Sequence, residues 1–518
     1  MATGESVGAG RPGGAYAELC GLARRWGTLK AVHDLVSWDQ ETYMPPGAAA
    51  SRSEQVAMLS EMLHEQRTGG RVGELIAACE SDPDIAGTPD SDVGANVREF
   101  RRDFDRATRI PTALVGELAK TASLAAEAWK QARSASDFSS FAPWLEKMMR
   151  LSRDKAACLL PCTPAAKEPY DALLDEYEPG MTGAGIDAIF TPLRPRLSGL
   201  IAELARSPRK PDTAILGATI PAERQHSFGH TVLGAIGFDL HAGRLDTTTH
   251  PFCSGFGPGD TRLTTRYREE RFTDALYGTM HEAGHGMYEQ GLPKAAHLGQ
   301  PAADAISLGI HESQSRMWEN FVGRSREFWV WALPLARAVF RPALEHADVE
   351  GMYRAVNTAS PSLIRVEADE ATYNLHVMIR FQIERALIAG SLPVRDVPAT
   401  WNRLYKDYLG VDVPDDRRGC LQDVHWSFGL VGYFPTYTLG NLYAAQFWET
   451  INRSLPDLRA QMSRGEFGPL RAWLNTNIHA HGRRDRADEL CRRLTGRPLS
   501  ADPLMRHLEG KLRPIYGV

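Results

Sequence analysis

Apolar residues recur at helical spacing along nearly all of this 518-residue chain, and one stretch alone favours strands. Amphipathic runs cover about 15–35, 51–66, 94–107, 112–134, 138–157 and 183–206. Pro45-Pro46-Gly47 breaks the chain between the first two, and the proline- and glycine-punctuated segment 207–221 reads as a connection. The strand-favouring stretch is 244–268. There RLDTTTHPF and TRLTTRY are threonine-rich and alternate in part, with a turn-like CSGFGPGD between them. A helix follows over about 272–290 and ends at Gly291 and Pro293. Another covers about 303–325, and the rest is helical apart from an aromatic, glycine-rich interruption near 419–440. No repeat and no internal boundary stands out. The pattern predicts a mainly α fold: a single large helical domain over 15–518 with a small β-sheet next to the helix at 272–290. A glycine-rich disordered tail is expected over 1–14.

Composition narrows the class. With 43% hydrophobic and 24% charged residues the chain can bury a large core. A net charge of −5 offers no basic footprint for nucleic acid or an acidic membrane surface. No run of about 18 apolar residues predicts a membrane span. The first fourteen residues lack the apolar stretch of a signal peptide. Seven cysteines, an odd number without CxxC spacing, argue against a disulfide framework and for a reducing, cytoplasmic location.

The residues with the most chemistry are His281-Glu282-Ala283-Gly284-His285, inside the predicted helix TDALYGTMHEAGHGMYEQ. Residues four apart share a helix face, so the two imidazoles can hold one ion. Glu282 then reaches metal-activated water as a base that is not itself a ligand. A catalytic zinc site needs a third protein ligand and an open position. A third histidine at HExxHxxGxxH spacing is excluded, because Tyr288 and Gly291 occupy the places three and six after His285. Glu312, on the next predicted helix and 27 residues after His285, can supply the ligand, with Glu319 on the same helix as an alternative. His311 is expected to face elsewhere if Glu312 is the ligand. For an oxyanion the stretch QDVHWSFGLVGYFPTYTLGN offers His425, Tyr433 and Tyr437. For a terminal carboxylate, Arg365 has the two-pronged donor geometry required.

Five further motifs appear in order: His250-Pro251-Phe252, then DTRLT at 260–264, HESQ at 311–314, IRVEAD at 364–369 and GCLQDVHW at 419–426. Together with HEAGH and the early WDQETYMPPGAAASR, they resemble the carboxypeptidase Taq family of metallopeptidases, which trims single residues from peptide C-termini. The resemblance runs from about residue 15 to the C-terminus. It implies a mostly helical fold with a long substrate groove, similar to neurolysin and angiotensin-converting enzyme. It implies zinc held by His281, His285 and Glu312, with Glu282 as the base. Arg365 falls on the arginine associated with the substrate carboxylate, and Arg262 on one associated with closing an end of the groove. His425 and Tyr437, twelve residues apart, are similar to the oxyanion-stabilising pair of neurolysin-like enzymes, with Tyr433 able to substitute. The family's cobalt tolerance, cytosolic location and homodimers are implied as well. The expected partners are peptides with a free C-terminus, with no nucleic acid and no membrane. Two rival readings remain: an oligopeptidase, which would not need Arg365, and a helical binding protein with structural zinc, which would need a fourth protein ligand.

Overall fold

The computed structural model describes residues 14–518. The tail expected over 1–14 therefore lies outside the described residues, except Gly14, which begins the first helix. That helix, Gly14–Thr42, runs past the expected end near residue 35. Trp38 explains the extension: it is 4% exposed and packs on Tyr43 with ring centroids 5.7 Å apart. The helix stops before Pro45, which fixes an extended backbone (φ −60°, ψ 137°). The second helix of this hairpin, Ala49–Thr68, has no buried residue.

The sheet has three strands, β1 (Gly243–Thr247), β2 (Cys253–Gly257) and β3 (Asp260–Thr265), in the order β1-β3-β2. β1 runs parallel to β3 with Leu245 opposite Leu263, and β2 runs antiparallel with Cys253 opposite Leu263. The segment read as a turn is thus mostly strand, and the reversal is confined to the end, where Gly259 has φ 78°. Pairing to β3 overrides the low strand propensity of Ser254-Gly255. Gly255 is required by a close approach: a Cβ there would collide with Glu289 and Lys294.

β3 lies against helix Phe272–Gly291, which carries the HEAGH motif. Thr265 and Thr279 hydroxyls bond across that contact at 3.2 Å. The next long helix is shorter than expected. Ser307 caps it, its hydroxyl accepting from the Ile310 amide at 3.0 Å, and the α-helix spans Leu308–Arg316. It continues as a wider π-helical turn over Met317–Gly323. Beyond it, helix Tyr373–Ala389 starts under the side chain of Asp369, which accepts from the amides of Ala371 and Thr372. Helix Pro435–Ser454 begins inside the interruption read over 419–440.

The Leu308–Arg316 helix is wedged between the motif helix and Pro435–Ser454, and glycines make the wedge possible. A Cβ on Gly284 would stand 2.5 Å from the Gln314 carbonyl oxygen, and one on Gly440 would stand 2.6 Å from Glu312 Cβ. Met280, Ala283, Ile310, Trp318, Leu439 and Tyr443 fill the apolar space around this stack. Each large side chain buried there contributes about 1.5–3 kcal/mol. A smaller apolar cluster joins Tyr16, Leu19, Trp26, Leu75, Ile76 and Phe100 from the N-terminal helices. The protein is a mainly α single domain with a small sheet beside the motif helix. No helix of the described residues is long and apolar enough to cross a membrane.

Candidate metal centre

Three side chains converge on one point: His281, His285 and Glu312 each offer a ligand atom within 4.8 Å of the other two. Glu312 Oε2 lies 3.7 Å from His281 Nε2 and 3.5 Å from His285 Nε2. A tetrahedral zinc ion with bonds of about 2.0–2.1 Å separates its ligand atoms by about 3.3 Å, so the set fits such an ion after small adjustments. The other nitrogens of both rings are engaged elsewhere. His281 Nδ1 donates to Glu319 Oε2 at 3.0 Å, and His285 Nδ1 lies 2.5 Å from His311 Nδ1. Both Nε2 atoms are thereby left facing Glu312. Glu312 Oε1 accepts from Arg316 Nε at 2.7 Å, which turns Oε2 toward the two rings.

The electrostatics follow from burial and neighbours. Burial raises the Glu312 carboxyl, but Arg316 and the two histidines outweigh it and hold it well below the usual carboxylate range. Burial and the His311 ring lower His285 to about 3, so it is a neutral imidazole. Glu282 is 7% exposed and outside the three-ligand cluster. Burial lifts its carboxyl to about 7, with His281 pulling the other way. A carboxyl in that range can exchange a proton near neutrality.

Glu319, the alternative third ligand, supports His281 and also pairs with Arg316 Nη1 at 3.1 Å. His311 stays outside the three-residue cluster and packs behind it: its ring lies between His285 and Glu289, with Nε2 donating to Glu289 Oε1 at 2.9 Å.

Arg365 is 4% exposed and belongs to a second cluster. Its Nε and Nη2 donate to Asp423 Oδ1 at 3.1 and 2.8 Å, and Nη1 donates to the Tyr373 hydroxyl at 2.8 Å. Two of its five N–H groups remain unassigned in these contacts. Arg380 donates to the other Asp423 oxygen at 2.7 Å. Gln422 accepts from the Arg365 amide and from Arg380. Tyr373 joins the two clusters, since the Arg316 guanidinium stacks 4.4 Å from its ring centre. Tyr437 lies under Arg365 at 4.9 Å and reaches His425 Nε2 at 3.3 Å through its hydroxyl. Burial, then Arg365, lowers His425 to about 3, which keeps the ring neutral. Its Nδ1 is buried without a hydrogen-bond partner among the described residues. Tyr433 packs on Tyr437 at 5.4 Å, and burial raises its hydroxyl to about 12.

Arg262 is held at the sheet. It pairs with Asp260 through Nε and Nη2, both at 2.9 Å, and stacks between Trp38 and Phe256. Trp38 and Phe256 line a cavity of about 500 Å³ bounded by the Gly14–Thr42 helix, β2, Glu289 and Lys294. Thr264, from the same motif, accepts from the Phe252 amide through its hydroxyl at 2.8 Å and donates to the Phe252 carbonyl through both its hydroxyl, at 3.0 Å, and its amide, at 2.9 Å. Arg316, Glu289, Tyr373 and Asp423 escaped the sequence reading. The spacing Glu312–Arg316, four apart on a helix, is a local signal for Arg316, and Asp423 stands inside the GCLQDVHW motif.

The sequence pattern of the Carboxypeptidase Taq (M32) metallopeptidases matches residues 18–512. Thermostable carboxypeptidase 1 of Thermus thermophilus is 46% identical over 511 residues, 98% of this chain and 100% of that protein. Carboxypeptidase 1 of Bacillus subtilis is 37% identical over 500 residues, 96% of this chain and 98% of that protein. Among solved structures, an M32 carboxypeptidase from Deinococcus radiodurans superposes with a TM-score of 0.93 at 41% identity. That match covers 97% of this chain and 100% of the other. The family pattern spans nearly every residue, and these relatives align over nearly their full lengths. The chain belongs to the carboxypeptidase Taq (M32) family and is a metallocarboxypeptidase.

Proposed function

We propose that the metal is zinc, held by His281, His285 and Glu312, and that the enzyme releases single residues of many kinds from peptide C-termini. The observation that carries this reading is the pair of Nε2 atoms facing one Glu312 oxygen while both Nδ1 atoms are engaged elsewhere. Cobalt prefers similar donors and would substitute. Bound there, zinc would acidify a water molecule and polarise the scissile carbonyl. Glu282 takes the proton of the attacking water and passes it to the leaving amine, a task suited to a carboxyl lifted to about 7. His425 and Tyr437 donate hydrogen bonds to the developing oxyanion, with Tyr433 as the substitute donor; the neutral state of His425 supports this. Arg365 receives the substrate's terminal carboxylate through the N–H groups that Asp423 and Tyr373 leave over. Arg262, fixed by Asp260, Trp38 and Phe256, closes one end of the groove. The enzyme acts as a cytoplasmic homodimer.

A defined peptide mixture incubated with the enzyme, and read by mass spectrometry, tests the reading. Ladders shortened one residue at a time from the C-terminus are expected. They should vanish with chelator, return with zinc or cobalt, and fail to form from C-terminally amidated peptides. Internal fragments, or equal cleavage of the amides, would remove the role given to Arg365. Restoration by a different ion alone would remove zinc.

A further inference from the structure

The two histidines of the cluster are supported in different ways. His281 donates directly to a carboxylate, Glu319. His285 meets a second imidazole, which in turn meets a carboxylate. We infer that Glu289 and His311 form a hydrogen-bond relay that sets the tautomer of His285 and strengthens the chain's hold on its metal; this rests on the reading of His285 as a ligand.

The relay is anchored at its far end. Lys294 pairs with Glu289 Oε2 and donates to the Gly255 carbonyl of β2 at 3.3 Å. Burial works against ionisation of Glu289, but Lys294 and His311 outweigh it and hold its carboxyl well below the ordinary range. An ionised carboxylate only accepts, so His311 Nε2 must carry the proton that points at Oε1, 2.9 Å away. A ligating His285 needs a bare Nε2, so its proton sits on Nδ1, and the His311 Nδ1 that faces it at 2.5 Å must supply the lone pair. The bare Nε2 of His285 is the nitrogen that faces Glu312 Oε2. Glu289, which holds the His311 proton at Nε2, thus favours, through two rings and without touching the metal, the His285 tautomer that is free to ligate. Packing fixes the geometry as well: the His311 ring lies 4.6 Å from that of His285 and 5.2 Å from Tyr288. Glu289 and His311 are positioning residues, since neither meets substrate or the reacting atoms. A partner that orients a ligating histidine is worth about 10–100-fold in metal affinity.

The test measures zinc affinity of the metal-stripped full chain by competition with a chromophoric chelator, with circular dichroism of each apo-protein as a check of folding. His311→Phe keeps a ring but removes the acceptor, and its affinity should fall about 10–100-fold. His311→Asn restores an oxygen near the Nδ1 position and should recover most of that loss. Glu289→Gln should fall between the two and decides alone if His311→Phe does not fold. Wild-type affinity in folded His311→Phe or in Glu289→Gln overturns the relay, as does an equal loss in the Phe and Asn variants. His285→Ala separates the two readings. If it loses zinc while the relay variants do not, only the relay fails; if it binds zinc as tightly as the wild type, the ligand assignment fails too.

Discussion

Glu282 and His281 are neighbours in sequence, yet the helix turns them to different tasks. His281 points into the cluster with Glu312, whereas Glu282 stays outside it, buried and lifted to about 7. Glu282→Gln should therefore keep a full equivalent of zinc by atomic absorption while turnover falls at least about 10²–10⁴-fold. Loss of the metal together with the activity would make Glu282 a ligand instead. A second buried carboxyl, Glu384, accepts from Trp426 Nε1 at 2.9 Å, from the Gly432 amide at 3.2 Å and from the Tyr170 hydroxyl at 3.1 Å. It ties down the segment that carries His425 and Tyr433. Burial raises it from 4.5 to about 7 despite those three donors. Between these values the folded chain binds the proton more tightly than the unfolded chain, so this group's contribution to stability declines as pH rises through that window. Glu384→Gln, which has no charge to bury, should consequently gain in melting temperature relative to wild type on going from pH 5 to pH 8. A difference that stays flat or runs the other way would contradict the assignment. Residues of this kind were partly legible in the sequence. HEAGH names its own geometry, because four residues make about one turn. Asp423 and Arg365 are 58 positions apart, and no local pattern announces a pair closed by tertiary packing.

At the scale of elements, the wedge of three helices decides how accurately the cluster is built. Glu312 is delivered by a nine-residue helix that touches its two neighbours through glycine. Gly440→Ala would set a methyl group against Glu312 Cβ and Cγ, both 2.6 Å from its ideal position. This substitution should weaken zinc binding at least about tenfold and lower the melting temperature of the apo-protein, by misplacing a ligand and overpacking the core. Unchanged zinc affinity in the chelator competition would mean the helices can give way there. The sequence displays the helix but hides its end. Periodicity alone extended it over 303–325, whereas Ser307 caps its start and a π turn replaces it after Arg316. That turn carries Glu319, which accepts from His281 Nδ1 and lies outside the three-residue cluster. β2 was hidden for a related reason. Its glycines signal a turn locally, and only the neighbouring strand and the Glu289–Lys294 pair show why they belong in a strand.

Over the whole molecule, apolar burial is divided unequally. The large cluster encloses the metal centre, and the small one belongs to the N-terminal helices. The two are stitched by polar contacts: Trp26 Nε1 to the Gly299 carbonyl at 2.8 Å, Asn96 to Gln300 at 2.8 Å, and Arg483 to Glu99 and Asp103. The Ala49–Thr68 helix buries no side chain fully and meets the small cluster through half-buried Leu63. Hydrogen exchange followed by mass spectrometry should show its amides exchanging first and those of Phe272–Gly291 last. Added zinc should slow the motif helix further and leave Ala49–Thr68 unchanged. Equal protection of the two helices would mean that the small cluster is as firm as the large one. Composition and periodicity foresaw a large helical domain, but its partition into two apolar clusters depends on contacts such as Asn96–Gln300, 204 residues apart, which no window along the chain can reveal.

The glycine contacts at 284 and 440 also make the protein its own gauge. Where helices meet through layers of side chains, a small error in spacing is absorbed by rotamers. Here main chain bears on main chain at Gly284 and on the stem of Glu312 at Gly440, and at both the slack is less than one methyl group. A series of widening shims at Gly440, from Ala to Ser to Val, would therefore report on the stiffness of the stack, with zinc affinity as the dial.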